Sequence, residues 1–479
     1  MPVGSSANER FHDDRSSQAD RQEYERDRDR ILYSDGFRRL KGIAQVASSQ
    51  EAYSYHTRLT HSLKVGQVGR RLAQYLIRED DAVRPRDRGS TDELVISPVV
   101  VETAALAHDL GHPPFGHPAE DELNTIIQEE RHRVDDGFEG NPQSFRIVSH
   151  VETNALYSRT NDDLGRGLNL TRASLNAMLK YPWERGADVS AIEYDTDDKF
   201  GYYAMEEDLF EEVRQESATH VRSPEATLMD WADDVTYAVH DVIDFYKAGL
   251  IPLHSLLQET QEREEFIEHF EDKFGSQIPA AFEPSTFLES LRKDGLDEPE
   301  MKQPYQGTRQ ADALLDRMRS DLIEDYLLVP DTVEITDPSA AVDTRPATEQ
   351  SVDRPIVDID PEKQAEVEML KEMTFHYVIR DRTLASQQQG QRQIVNTLFD
   401  AFLAATDDAY EPANLDVTAV DKLIVPQPFR DDLLNADSPS ERVRYVADAI
   451  TVMTEQQARQ LYGRITGQQH GSIQENLLR

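Results

Sequence analysis

The run Ser97-Pro98-Val99-Val100-Val101-Glu102-Thr103-Ala104-Ala105-Leu106-Ala107 leaves the chain little choice of structure, because it is apolar almost all round and ends in the pair His108-Asp109. Serine is positioned to cap a helix, proline fits its first turn, and Gly111 is placed to stop it. A helix of that composition is buried, which carries an imidazole and a carboxylate into the interior in its last turn. Burying such a pair without partners is costly. A divalent ion is the simplest partner, and two more histidines follow in His108-Asp109-Leu110-Gly111-His112-Pro113-Pro114-Phe115-Gly116-His117. Imidazole and carboxylate donors suit Mn, Fe, Mg or Zn, and with no cysteine in the chain no thiolate can join them. A His-Asp dipeptide in isolation is more often a surface pair, so further ligands must come from elsewhere in the chain.

Two segments can supply them. Arg58-Leu59-Thr60-His61-Ser62-Leu63-Lys64-Val65, continued by Val68, Leu72 and Leu76, has helical apolar spacing with His61 near its start. A second helix begins at Ser223-Pro224 and turns Leu228, Trp231, Val235, Val239, Val242 and Phe245 to the core. On a neighbouring face Asp233, Tyr237 and Asp241 recur at i, i+4 and i+8. In a chain this acidic, a solvated face is the ordinary reading of such a stripe.

The order His61, His108-Asp109, Asp233 resembles the H...HD...D signature of the HD superfamily of metal-dependent phosphohydrolases. Further strings are similar to those of its deoxyguanosine triphosphate triphosphohydrolase family: Arg58-Leu59-Thr60-His61-Ser62, the 108–117 run, Phe138-Glu139-Gly140-Asn141, Lys199-Phe200-Gly201-Tyr202-Tyr203 and Asp230-Trp231-Ala232-Asp233-Asp234-Val235-Thr236-Tyr237. The resemblance runs from about Ile31 to Leu250 and resumes from Met373 to Gly467, where it includes the string RDRTLASQQQGQR. It implies an all-α HD-domain helical fold with additional C-terminal helices. It also implies one divalent metal ion per subunit (Mn, Mg or Fe) held by His61, His108, Asp109 and Asp233. His117 and Glu120 match the family's catalytic histidine and acid, and His112 a histidine on the phosphate side of the pocket. Tyr237 and Asp241 match residues that hold the deoxyribose, Gln45 a sugar or base contact, and Arg58 and Lys199 are the expected triphosphate clamps.

The implied reaction is attack at the α-phosphate of a deoxynucleoside triphosphate, releasing deoxynucleoside and intact triphosphate. Relatives form tetramers or hexamers whose contacts can bind activating deoxynucleotides, so a homo-oligomer and a deoxynucleoside triphosphate effector are implied too. Two departures stand out. Pro142 occupies a place where the family more often has a small residue, and Asp234 follows Asp233 where some relatives carry a lysine, leaving one phosphate contact without support. Two other readings stay open: another HD phosphohydrolase, acting on a cyclic or monophosphorylated nucleotide or an alarmone, and a non-catalytic deoxynucleotide sensor.

Composition speaks to environment. The formal net charge is -40 over 479 residues, and arginine supplies 40 of the 51 basic residues. Such a balance is that of a halophile's protein. Molar salt shortens the Debye length to about 3 Å and screens the self-repulsion. The chain is therefore expected to lose helical circular dichroism on transfer from molar KCl to dilute buffer; an unchanged signal would contradict this. Acids interleave every basic cluster, which argues against a nucleic-acid partner. A polyanionic substrate then needs a locally positive pocket, for which Arg38, Arg39, Lys41, Arg58 and Lys199 are candidates. No apolar run approaches the ~20 residues of a membrane span, and the polar start carries no signal-peptide core, so a cytoplasmic protein is expected.

Along the chain, residues 1–30 read as a polar mobile tail, 31–250 as the HD core and 251–329 as a helical extension. Residues 330–363, with five prolines, read as a linker or insertion. Residues 364–479 read as a C-terminal helical region packing on the core.

Overall fold

A computed structural model describes residues 10, 22–45, 56–79, 83–85, 94–129, 134–153, 167–188, 195–214, 220–258, 261–292, 298–327, 332–335, 357–379, 382–407 and 422–469. The fold is all-α. The helices that matter for the site are α1 (Glu23–Tyr33), α2 (Arg58–Glu79), α3 (Pro98–Ala107), α4 (His117–Gln128), α5 (Gly140–Arg146), α6 (Arg172–Met178) and α7 (Pro224–Lys247). They are followed by α8 (Arg309–Leu327), α9 (Pro361–Thr374), α10 (Arg382–Thr406), α11 (Pro439–Thr451) and α12 (Glu455–Ile465).

The apolar run that opened the sequence reading is the central helix. Ser97 caps α3 by accepting from the Val100 N–H, and Val100, Val101, Ala104, Ala105 and Ala107 have no exposed surface. Helices α2 and α7 lie against it, and Gly69 makes the approach possible: a Cβ there would sit 2.9 Å from Val101 Cγ1. Leu72, Leu106, Leu228 and Val235 fill the space between. The expectation for Gly111 needs correcting. It does not end the helix through a left-handed φ; it is small because a Cβ would stand 2.1 Å from Gly140 O, where the HD turn crosses α5.

A second core joins the C-terminal helices to α4. Phe115, Leu123, Ile127 and Phe138 pack with Phe399 and Phe402 of α10 and with Val446 and Ile450 of α11. At the seam Arg146, fully buried, donates through Nε and Nη2 to Asp448 at 3.0 and 2.8 Å and pairs through Nη1 with Glu206. Gln143 Nε2 reaches the same Asp448 carboxylate at 2.8 Å. Removing one partner of such a group strands a buried charge. Asp448→Ala is therefore expected to cost about 3–5 kcal/mol, read by chemical denaturation in molar salt; a loss below about 1 kcal/mol would show that the seam does not hold the regions together.

Two stretches are more ordered than composition suggests. Within the polar tail read over 1–30, Glu23–Tyr33 forms α1 with Tyr24 and Asp27 buried, and Arg10 bonds Glu23 at 2.8 Å and Asp27 at 2.5 Å. The proline-rich stretch is pinned at both ends by an antiparallel pair, β3 (Val333–Ile335) with β4 (Val357–Ile359), in which Val333, Val357 and Ile359 are buried. A parallel pair, β1 (Val83–Pro85) with β2 (Leu94–Ile96), leads into α3.

Candidate active site

Three helices deliver four donor side chains to one point. His61 comes from the first turn of α2, His108 and Asp109 from the end of α3, and Asp233 from the third turn of α7, whose start is fixed by Ser223 accepting from Ala226 N–H. His61 Nε2 lies 2.8 Å from Asp233 Oδ1, and His108 Nε2 lies 3.4 Å from the same oxygen and 3.6 Å from Asp109 Oδ1. His108 Nδ1 donates to Ala105 O at 2.7 Å, which turns Nε2 toward the centre. Burial would lower this imidazole, but Asp109 and Asp233 raise it to about 9, so near pH 7 Nε2 carries a proton that a metal ion would have to displace. Burial would raise both carboxyls, but Arg58 and His108 hold Asp109, and His108 with His61 holds Asp233, well below the usual carboxylate range. Both carboxylates are thus ionised, the state in which they can ligate a cation. Asp109 Oδ2 is buried without a hydrogen-bond partner, an acceptor that a metal ion satisfies.

A second cluster adjoins the first. The turn Pro113–Gly116, with Phe115 at φ 77° and Gly116 at φ 66°, carries the chain from the HD pair into α4. At the start of that helix His117 Nδ1 sits 3.1 Å from Glu120 Oε2, while Glu120 Oε1 accepts from Gly140 N–H at 2.9 Å. The His117 side chain is 67% exposed and the Glu120 side chain 9%. A buried carboxylate therefore orients an accessible imidazole. Burial opposes ionisation of Glu120, but the hydrogen bond from His117 pulls it below its ordinary range. His112 bridges the clusters, with Nδ1 3.1 Å from Asp109 Oδ1 and Nε2 3.6 Å from Glu120 Oε2. Burial and the nearby Arg58 push it down to about 4, so it is a neutral imidazole near pH 7.

Of the expected cations, two stand at the site. Arg58 Nη1 donates to Asp109 Oδ1 at 2.7 Å, and Lys199 Nζ donates to Glu139 Oε1 at 2.8 Å. Three do not act as positive pocket groups. Arg39 is buried and bonds backbone oxygens of Leu110, His112 and Met453 at 2.6, 3.0 and 3.2 Å, tying the HD turn to the C-terminal region. Arg38 pairs with Asp35, and Lys41 is exposed. Arg39 fails as a pocket group because both of its terminal nitrogens are used by carbonyls.

The stripe on α7 is not a solvated face. Asp241 is 4% exposed, and the Tyr237 hydroxyl hydrogen-bonds its carboxylate, whose Oδ2 has no partner. Burial and the neighbouring Asp244 push the Asp241 carboxyl well up. Gln45, part-buried, also has a side-chain oxygen without a partner. Sequence reasoning missed Lys180, in the loop after α6, whose Nζ is 3.7 Å from Asp233 Oδ2 and 2.5 Å from Asp230 Oδ1. A lone lysine before Tyr181-Pro182-Trp183, in a chain with eleven lysines, was the available signal. The departure at Asp234 is accommodated by Lys371 of α9 at 2.9 Å.

Comparison with known proteins gives two family matches: the HD domain over residues 58–238 and the phosphohydrolase-associated domain over 357–464. Among curated proteins, a "Deoxyguanosinetriphosphate triphosphohydrolase-like protein" of Streptomyces coelicolor is 34% identical over 449 residues, covering 93% of this chain and 92% of its own. Proteins of the same description from Corynebacterium glutamicum and Bifidobacterium longum are 31% and 29% identical, over 92% of this chain and 90% and 82% of theirs.

Proposed function

The chain belongs to the deoxyguanosinetriphosphate triphosphohydrolase-like family of HD-domain proteins, and from that membership we propose that it hydrolyses deoxynucleoside triphosphates at the α-phosphate, giving deoxynucleoside and inorganic triphosphate. One observation carries the reading: a four-residue donor set with both carboxylates ionised and an exposed, carboxylate-oriented imidazole stand side by side, joined through the 3.1 Å contact of Asp109 with His112. The donors are two imidazoles and two carboxylates with one acceptor unsatisfied, a set that fits a borderline or hard divalent ion such as Mn, Mg or Fe. When bound, the ion supplies Lewis-acid polarisation of a phosphoryl oxygen and a water of lowered pKa.

The chain's own residues do the rest. His117, held by Glu120, stands where it can give a proton to the departing 5'-oxygen as the bond from phosphorus to that oxygen breaks and the bond to water oxygen forms. Neutral His112 lines the phosphate side as a hydrogen-bonding group, and Arg58, Lys199 and Lys180 offset the substrate's charge inside an acidic shell. Tyr237 and Asp241, about 6 and 12 Å along α7 from Asp233 by helix rise, take the sugar: the unpartnered Asp241 Oδ2 accepts from the 3'-hydroxyl, and the phenol ring crowds C2' against a ribose. Gln45 reads sugar or base. The same proposal includes a homo-oligomer, tetramer or hexamer, with deoxynucleoside triphosphates as effectors, and a cytoplasmic location; no described helix is long and apolar enough to cross a membrane.

The test is ion-exchange analysis after incubation with each deoxynucleoside triphosphate in molar KCl and manganese. Triphosphate with free deoxynucleoside is expected. Monophosphate or pyrophosphate would assign the site to other HD chemistry, and no turnover with mixed nucleotides would leave a sensor.

A further inference from the structure

A cavity of about 770 Å³ lies outside this site, where the start of α11 meets residues 134–136, Glu184, Arg185, Asp197 and residues 202–205. That size is typical of small-molecule sites, and none of its lining residues belongs to the donor or substrate sets above. Its charges are sorted by depth. On the buried side is Arg444, 1% exposed, whose Nη2 donates to Asp136 Oδ1 at 2.6 Å and Gly137 O at 2.7 Å while the guanidinium stacks 3.5 Å over the Tyr203 ring. Its Nη1 is buried with no hydrogen-bond partner. A charged N–H left in that state costs free energy, and an anionic oxygen is the group that relieves it best. Ser438 and Ser440, at the start of the 13-residue α11, line the same cavity, so the helix's positive end adds to the attraction.

The exposed side carries the opposite sign. Asp135, Glu184 and Asp197 are exposed carboxylates on the cavity wall, and Arg185 approaches only Asp197 among them, at 3.9 Å. Val134 and Tyr202, both buried, provide an apolar wall. An anion alone would meet the outer carboxylates, and a cation alone would leave Arg444 Nη1 unsatisfied. We infer that this cavity binds a small zwitterion, its anionic group on Arg444 and its ammonium group among Asp135, Glu184 and Asp197.

Isothermal titration of the full chain with 6-aminohexanoate, hexanoate and hexylammonium tests this. The two-ended probe is expected to bind one to one and at least tenfold tighter than either one-ended probe. Arg444→Gln should weaken 6-aminohexanoate and hexanoate tenfold or more. Because that change touches a buried group, the exposed double variant Asp135→Asn/Glu184→Gln serves beside it, and should weaken 6-aminohexanoate and hexylammonium while hexanoate binds more tightly. Equal affinities for the three probes, no binding of any, or affinities insensitive to both variants would overturn the inference.

Discussion

Replacing Asp109 by alanine is expected to reduce hydrolysis more than about 10³-fold, the range that charge placement at a reacting centre commands, and to remove the bound metal from the purified protein. Asp109 is where the contacts converge: Oδ1 meets Arg58 at 2.7 Å and His112 at 3.1 Å, and Oδ2 is buried with no hydrogen-bond partner among the described residues. Losing the carboxylate removes a ligand and also strands the Arg58 guanidinium, 3% exposed, beside the histidines. Since breaking a buried pair costs about 3–5 kcal/mol, Asp109→Asn is the companion variant. It keeps the shape and a hydrogen-bond acceptor for Arg58 while weakening the ligand, so metal loss with the helical signal retained separates ligation from folding. Activity within tenfold of the wild type in both variants, with metal retained, would remove Asp109 from the site.

His117→Ala is expected to lower kcat by about 10²–10⁴, the usual share of a general acid, with metal content unchanged. The imidazole is exposed and makes its one described hydrogen bond to Glu120. Its removal leaves no cavity and little stability change. Glu120→Gln should fall between wild type and His117→Ala, because an amide can still accept from the ring but no longer stabilises its protonated form. KM should move less than kcat in both. A His117→Ala enzyme that turned over at the wild-type rate, or one that lost its metal, would contradict the separation of roles.

The meeting of His61, His108, Asp109 and Asp233 was legible because a metal site would impose residue type and order, and the helices that carry them follow from the Ser-Pro starts of α3 and α7 and the apolar spacing of α2. Contacts made across the fold were not. Arg39 looked like any pocket arginine, yet both of its terminal nitrogens are taken by carbonyls, one of them Met453 O, 414 residues away in sequence. Gly111 looked like a helix stop, yet the requirement is Gly140 O on another helix. The stripe Asp233, Tyr237, Asp241 looked solvated because charge alone cannot tell a wet face from a lined pocket; what buries it is the packing of α7 against α2 and α3. Lys180, and Glu139 as the partner of the expected Lys199, escaped notice because no periodicity marks a loop residue that reaches a site.

The acidic balance of the chain sharpens the same point. With a net charge of -40, the proposed triphosphate pocket would depend on a few cations placed against buried carboxylates: Arg58 on Asp109, Lys199 on Glu139, Lys180 near Asp233. On this proposal the geometry of the pairs matters more than their number.

Hydrolysis in water enriched in oxygen-18, followed by mass spectrometry of both products, tests the central claim most directly. Attack at the α-phosphorus places one heavy oxygen in the inorganic triphosphate and none in the deoxynucleoside. Label on the deoxynucleoside 5'-hydroxyl would contradict the assignment of the reacting atom, and labelled deoxynucleoside monophosphate with pyrophosphate would keep attack at the α-phosphorus but contradict the 5'-oxygen as leaving group and His117 as its proton donor.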